Sequence, residues 1–353
     1  MGEKTLFAIA LPIMLGSATV LAQAPTVQAP KPGALETYKD WTIGCDNRNR
    51  CEAVALMPEG ADWPEVPLMI GVAREAGPDA ATEVWISRES KGVANVSFLV
   101  DGRTVATARA RDGEAKVRGP QASALAIAMA RGTAMDVRAG NRSWGTPSLA
   151  GSGAALRYMD ARQGRAGTMT ALVATGPMGV MAVKPAPTPT VIRRAPVPSG
   201  TAPAPLWREE LAKLVTFTGC ADEMRSDQTP ELHRLSKTET LILVPCGSGA
   251  YNFTSVPVIA TGIAGRRTFR FAPFDAAPGW LSDDKHPTLV NVGWTPEKSR
   301  LDSFAKGRGI GDCGGSEAYV WDGTRFRLVE ATSMGECRGV WHWIPTWTAQ
   351  VAD

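Results

Sequence analysis

Residues 40–55 contain the feature that most restricts how this chain can fold. Apolar residues recur at every second position on both sides of a polar stretch that opens with Asp46-Asn47. Alternation with a period of two is typical of a strand with one buried face, and Asp-Asn is typical of a turn. Cys45 and Cys51 stand at the two ends of the polar stretch. The pattern predicts an antiparallel β-hairpin that a disulfide between these cysteines could close.

The first 22 residues predict a secretory signal peptide. Lys4 supplies a positive charge near the start, residues 6–21 are apolar, and small residues follow at Ala22 and Ala24. We expect cleavage after Ala22, because cleavage after Ala24 would leave proline at the first mature position. A membrane anchor is the alternative, but the apolar run is shorter than a usual span and contains a proline. The mature chain is therefore expected to be periplasmic or secreted.

All six cysteines follow the predicted signal peptide. An even number of cysteines in an exported chain indicates disulfides, although six cysteines allow fifteen pairings. A proline-rich stretch separates two of them from the other four, and the expected bonds are Cys45–Cys51, Cys220–Cys246 and Cys313–Cys337. Zinc is the competing interpretation, but the chain has no C-x-x-C pair and three histidines. We therefore expect no metal site.

The proline-rich stretch, residues 177–205, predicts a division into two modules. Its composition favours an extended spacer that could hold the modules several nanometres apart, or else a recognition segment for a partner. We favour the spacer. The predicted layout is a disordered segment at 23–35, an N-terminal module at 36–176 and a C-terminal module at 206–353.

Period-two alternation dominates both modules and predicts mostly antiparallel β-sheet. In the first module, Asp101-Gly102 and Asp112-Gly113 are typical of hairpin turns. Two stretches there have helical spacing instead: residues 120–131, and residues 152–163, where Ser152 is the expected cap. A last strand is expected at 168–174.

The second module is expected to begin with a helix at 206–215 and to continue in strands, the last of them at 338–343. The predicted fold class is therefore α+β. It consists of two disulfide-containing modules of mostly antiparallel sheet, the first with two helices, joined by the proline-rich linker.

The run Lys306–Gly315 is the first candidate for a functional site. It contains the spacing G-x-G-x-x-G, but a cysteine lies inside the motif and a strand is expected after it, so dinucleotide binding is disfavoured. We interpret the run as a glycine loop that lets Cys313 reach Cys337. The alternative is an anion- or glycan-binding loop that uses Arg308, Asp312 and Arg338.

Tryptophans near the C-terminus are the second candidate. On the predicted strand, Trp341 and Trp343 point to one face and His342 to the other. If exposed, the pair would be a platform for sugar rings or a partner protein; burial in the core is the more ordinary outcome for large aromatic residues. No catalytic or cofactor motif accompanies either candidate, and no cofactor is expected.

Three segments, 40–53, 148–176 and 306–347, resemble a family of exported bacterial proteins catalogued as domain of unknown function 1176. The motifs R-G-x-G-D-C-G, at Arg308–Gly314, and C-R-G, at Cys337–Gly339, are part of this resemblance. The start D-W-x-x-x-C, at Asp40–Cys45, also has a more distant resemblance to the invasion-associated locus B proteins. The resemblance implies a bacterial exported protein and supplies no activity.

These observations favour a periplasmic binding or interaction module that acts on a cell-envelope component, either a protein or a glycan. A net charge of +3 over 353 residues disfavours a nucleic-acid partner. One alternative is an envelope hydrolase acting on peptidoglycan or a peptide, which would need a cleft that collects histidine or carboxylates from distant strands. A second alternative is an inhibitor of a host lysozyme or protease.

Overall fold

The structure is a computed structural model that describes residues 1–2, 29–196, 198–224, 227–279 and 286–353. The predicted signal peptide and its cleavage position lie outside the described residues, apart from Met1 and Gly2. In the described part of the chain, no helix has the length and apolarity needed to cross a lipid bilayer.

A six-stranded antiparallel sheet opens the N-terminal half, in the order β1-β2-β3-β4-β5-β8. The predicted hairpin is its β2-β3 pair, with Ile43 opposite Ala53 and Cys45 opposite Cys51. The strands of this sheet are β1 (Leu35–Tyr38), β2 (Trp41–Cys45), β3 (Cys51–Ala55), β4 (Leu68–Arg74), β5 (Thr82–Arg88) and β8 (Ala115–Arg118).

A second antiparallel sheet, in the order β10-β9-β6-β7, and two helices complete this half. Helix α1 (Gly119–Arg131) buries Ala122, Leu125, Ala126 and Met129, whose spacing places them on one face of the helix. Helix α2 (Ser152–Arg162) packs against α1 and the first sheet. The strands are β6 (Val93–Val100), β7 (Arg103–Arg111), β9 (Met135–Ala139) and β10 (Arg142–Gly145).

Two sequence predictions fail around α2. Gly151, with a φ of 98°, is the cap residue, and the Ser152 hydroxyl instead donates to the carbonyls of Leu149 and Met129. The strand expected at 168–174 is absent because the chain there turns around the buried Asp160. The carboxylate of Asp160 accepts hydrogen bonds from consecutive backbone amides at 172–174, at 2.8–3.0 Å. Those amides are therefore unavailable to a neighbouring strand.

Two further sheets and one helix form the C-terminal half. Helix α3 (Arg208–Thr218) packs on the first of these sheets through Leu214, in a cluster that includes Cys220 and Cys246. That sheet consists of β12 (Glu231–Arg234), β13 (Glu239–Ser248), β14 (Phe253–Thr261), β15 (Thr268–Phe271) and β16 (Leu289–Val290). The other sheet consists of β17 (Gly293–Thr295), β18 (Arg300–Lys306), β19 (Gly314–Trp321), β20 (Phe326–Met334) and β21 (Ile344–Thr348). The two sheets share a core that includes Leu241, Ile259, Tyr319, Trp321 and Phe326.

The strand predicted at 338–343 is a loop, and the last strand of this sheet begins at Ile344. Gly339 has a φ of 77°, outside the range of a strand. The side chain of Arg338 is also bonded to the N-terminal half rather than lying beside a strand partner. The alternating apolar residues that suggested a strand therefore face different parts of the protein.

The six cysteines form the disulfides Cys45–Cys51, Cys220–Cys246 and Cys313–Cys337, the pairs expected from the sequence. The first closes the β2-β3 hairpin, the second joins the end of α3 to β13, and the third joins the loops before β19 and β21. Each bond thus fixes a loop next to a strand.

The proline-rich stretch does not hold the two halves apart. Its strand β11 (Val191–Arg193) pairs in parallel with β22 (Gln350–Ala352), and Ile192 is 2% exposed. Residues 190–195 contain no proline, so their backbone amides can form the hydrogen bonds of a strand. The halves pack together through a cluster that includes Val54, Leu56, Cys313, Met334 and Ile344.

Of the segment expected to be disordered, residues 23–35, the first six lie outside the described residues, and the end of the segment is ordered. The backbone amide of Gly33 donates to the carbonyl of Thr346 at 2.8 Å, and β1 begins at Leu35. The chain is thus anchored to β21 before it enters the first sheet. We propose 36–176 and 206–353 as the boundaries of the two modules.

Candidate functional site

The glycine loop before β19 is fixed by an internal ion pair. Arg308 donates from Nε and Nη2 to the two carboxylate oxygens of Asp312, at 2.7 and 2.5 Å. Asp312 is fully buried and also accepts the backbone amide of Gly339 at 2.8 Å. Burial alone would raise the pKa of Asp312, but these two partners outweigh it and hold the pKa below its usual range. Asp312 therefore ties together the two loops that the Cys313–Cys337 disulfide joins.

Arg338, the third residue expected in an anion-binding loop, connects the two halves of the protein. Its guanidinium donates to the carbonyls of Met57 and Lys39, at 2.7 and 2.8 Å, and forms an ion pair with Asp40. With these contacts made, the side chain is 14% exposed. Its position suits structural support better than capture of a ligand.

The two candidate tryptophans do not share a face. Trp343 packs beside Met334 and Ile344 in the cluster between the halves. Trp341 is 40% exposed, and its indole nitrogen donates to the carbonyl of Ile310 at 2.9 Å. Trp341 and Trp343 therefore do not form one platform, because residues 341–343 do not form a strand.

Trp341 instead pairs with a tryptophan from the N-terminal half. The rings of Trp63 and Trp341 meet edge to face with centroids 6.0 Å apart, and the guanidinium carbon of Arg308 lies 5.4 Å from the Trp63 ring centroid. Trp63 is 47% exposed. We call these three residues the aromatic surface. Trp63 could not be singled out from the sequence, because it stands in a loop with no periodic pattern.

A cleft of about 390 Å³ lies next to the aromatic surface and has Trp341 on its wall. Most of it is formed by the outer face of the first sheet, and His342 from the C-terminal half completes it. Its other lining residues are Arg50, Glu52, Met69, Glu83, Trp85, Ile86, Ser87, Glu114, Ala115 and Lys116. The cleft therefore joins aromatic, charged and hydroxyl groups from both halves of the chain.

Glu52, whose side chain is 2% exposed, is the polar centre of the cleft. Its Oε1 accepts the indole N–H of Trp85 at 2.7 Å, and its Oε2 accepts Arg50 Nη1 at 2.8 Å. His342 Nε2 lies 2.9 Å from Oε1, within ion-pair range but without the alignment of a hydrogen bond. The ring of His342 packs on Trp85 with centroids 4.5 Å apart. These contacts place His342 at the cleft surface, with 42% of its side chain exposed.

The neighbours of Glu52 keep its carboxylate ionised. Burial would raise its pKa, but His342 and Arg50 together lower the pKa to about 2. Glu52 is therefore ionised at neutral pH and cannot serve as a proton donor. The sequence offered one sign of this role: a glutamate between the inward-facing Cys51 and Ala53 must point to the outer face of its sheet. Neither Glu52 nor His342 stands in a motif that would have marked it as a site residue from the sequence alone.

Comparison with known proteins identifies the family and gives no activity. A 27% identical relative, the uncharacterised protein YpfG of Escherichia coli K12, matches over 92% of this chain and 95% of its own length. The crystal structure of invasion associated protein B from Bartonella henselae covers 37% of this chain and 99% of its own, with 18% identity and a TM-score of 0.29. The model of the family described as "Protein of unknown function (DUF1176)" matches residues 35–350. The chain belongs to that family.

Proposed function

We propose that this protein is an exported binding protein whose cleft and aromatic surface hold a glycan of the bacterial cell envelope. The observation that carries the proposal is the exposed Trp63–Trp341 pair on the rim of a polar cleft. Large aromatic side chains left in solvent beside a concavity are typical of ligand contacts. Their faces suit the apolar side of a sugar ring, and the hydroxyls of the sugar would meet the polar wall.

The charges of the cleft favour an uncharged polar ligand over a polyanion. Glu83 pairs with Lys116 at 2.9 Å and with Arg118 at 2.7 Å. Arg50 pairs with Glu52 at 2.8 Å and with Glu75 at 3.1 Å. Because positive and negative groups alternate around the wall, they leave little field of one sign to attract a highly charged partner. They still offer donors and acceptors for hydroxyl and amide groups.

Retention on purified peptidoglycan tests this proposal. The mature protein, with its disulfides intact, should be retained, and Trp341→Ala should weaken binding about tenfold or more, as expected when a stacking contact is removed. Trp207→Ala is the matched control, because Trp207 is 61% exposed at the start of α3 and does not line the cleft. If Trp341→Ala is retained as well as the native protein, or if the native protein is not retained, the proposal is wrong.

The Glu52–His342 pair favours a second candidate, hydrolysis of an envelope peptide or of peptidoglycan. An ionised carboxylate beside a cleft-facing histidine can stabilise the imidazolium that forms when the histidine takes a proton from water. Release of soluble fragments from labelled peptidoglycan, abolished by His342→Asn, would support this function. If native protein releases no fragments but is still retained, the protein is a binding protein without this activity.

A further inference from the structure

A second polar pocket lies inside the C-terminal half, on the inner face of the sheet formed by β17–β21. Strand register places Ser303, Glu317 and Ala331 side by side across β18, β19 and β20. The adjacent row on the same face is Ala305, Gly315 and Ser333, whereas Leu301, Tyr319 and Leu328 on the other side of Glu317 belong to the packed core. Small side chains around a single carboxylate leave a cavity of about 180 Å³.

The opposite wall of this pocket is backbone and small apolar surface. It is formed by Gly279, Val290, Pro32 and Gly33. Gly33 is held against β21 by its hydrogen bond to Thr346, so the N-terminal segment closes one side of the pocket. The pocket is therefore built by several chain segments and is not a groove between two side chains.

Within the described part of the chain, one carboxylate oxygen of Glu317 has hydrogen-bond partners and the other has none. Its Oε2 accepts the hydroxyl of Tyr319 at 2.9 Å and the backbone amide of Gly279 at 2.8 Å. No hydrogen bond from the described part of the chain reaches Oε1. Among the described residues that line the pocket, Glu317 has the single formal charge, and none is Lys, Arg or His. The described lining residues thus supply no counter-ion for the carboxylate.

Burial raises the pKa of Glu317, and the hydrogen bonds from Tyr319 and Gly279 offset this only in part. A carboxylate in such surroundings gains free energy from a cation placed beside it. A Ca²⁺ ion is disfavoured, since it takes about 6–8 oxygen ligands and the pocket offers one carboxylate. A primary ammonium needs three acceptors, which the free carboxylate oxygen and the neighbouring hydroxyl and carbonyl groups can supply.

We propose that this pocket binds the primary ammonium group of a small amine, with Glu317 as its counter-ion. The site is separate from the cleft at Trp341 and does not depend on the function proposed for that cleft. The small side chains of Ala305, Gly315 and Ala331 serve to leave room for the ligand beside the carboxylate.

Calorimetric titration of the mature protein with ethanolamine tests the proposal, with ethylene glycol as the uncharged ligand of similar size. Ethanolamine should bind and ethylene glycol should not. Glu317→Gln keeps the shape and the acceptor for Tyr319 and should weaken ethanolamine binding about tenfold or more, the usual worth of a charge-assisted hydrogen bond. Ser333→Leu should also weaken it, because the larger side chain would fill the pocket without changing its charge.

Glu297→Gln is the control, because Glu297 is exposed on the turn before β18 and does not line the pocket. It should bind ethanolamine like the native protein. Trp341→Ala should also bind normally, which separates this site from the proposed glycan cleft. If native protein binds neither compound, or if Glu317→Gln binds ethanolamine as tightly as native protein, the pocket holds water alone and the proposal is wrong.

Discussion

At the residue scale, Glu52 has the most concentrated set of polar contacts in the cleft. Trp85 and Arg50 donate to its two oxygens, and His342 from the other half of the chain lies beside it. A carboxylate that is almost fully buried persists as an anion only if its neighbours compensate for lost hydration. Residues from both halves therefore compensate for the lost hydration of Glu52. The ionised state of Glu52 thus contributes to the free energy of unfolding of the whole protein.

Replacing Glu52 should therefore change how stability depends on pH. Its pKa of about 2 lies below the usual 4.5, so its contribution is present above pH 4.5 and is lost as pH falls towards 2. A shift of this size corresponds to about 3 kcal/mol. Urea unfolding should show Glu52→Gln clearly less stable than native protein at pH 7, with a smaller difference at pH 3. Glu36→Gln, at an exposed position on β1, should be near native at both. If the difference in the free energy of unfolding is the same at pH 7 and pH 3, the lowered pKa of Glu52 is contradicted.

At the element scale, the spacing of apolar residues correctly predicted the elements whose shape depends on contacts between residues close in sequence. The β2-β3 hairpin and α1 follow from alternation and helical spacing, and the structure contains both. The strands expected at 168–174 and 338–343 failed because a distant partner decides their shape: the carboxylate of Asp160 in the first case and the contacts of Arg338 in the second. Apolar alternation could not reveal either partner.

The same distinction applies to the candidate site. The sequence singled out Arg308, Asp312 and Trp341, which do lie together, because glycine and tryptophan are conspicuous in the chain. It missed Trp63 and Glu52, which reach the site only when the two halves pack against each other. A site built across two halves of a chain cannot be read from the spacing of residues within one half.

Glycines at the two ends of α2 allow the contact between this helix and β1 to be tested. Gly151 and Gly164 both have positive φ, but a Cβ at Gly151 would lie 1.7 Å from the carbonyl oxygen of Tyr38, whereas one at Gly164 would meet nothing within 4 Å. We expect Gly164→Ala to cost about 1 kcal/mol, the strain of a left-handed alanine. Gly151→Ala should cost about 3 kcal/mol or more, because the backbone of β1 must also move. Chemical denaturation of both variants measures the difference, and equal costs would show that the contact with Tyr38 is unimportant.

At the scale of the whole molecule, the contacts that hold the halves together include three near the cleft. The apolar cluster around Val54 and Ile344 is the first, and the contact of His342 with Glu52 is the second. The third is Arg338, whose guanidinium reaches Asp40, Lys39 and Met57. The cleft and the aromatic surface exist only while these connections hold, since each takes residues from both halves. Binding at the cleft should therefore depend on residues that never touch the ligand.

Arg338→Gln tests this dependence. The variant loses the ion pair with Asp40 and two hydrogen bonds to backbone carbonyls, so it should be about 2–3 kcal/mol less stable, as expected for hydrogen bonds from a charged group. If the halves separate, the radius of gyration from small-angle scattering should rise, and retention on peptidoglycan should fall as it does for Trp341→Ala. Arg325→Gln, an exposed arginine on the turn between β19 and β20, should change neither. A variant that unfolds more readily yet keeps the native radius and native retention would show that the other contacts between the halves hold them in place, and that Arg338 adds stability without shaping the site.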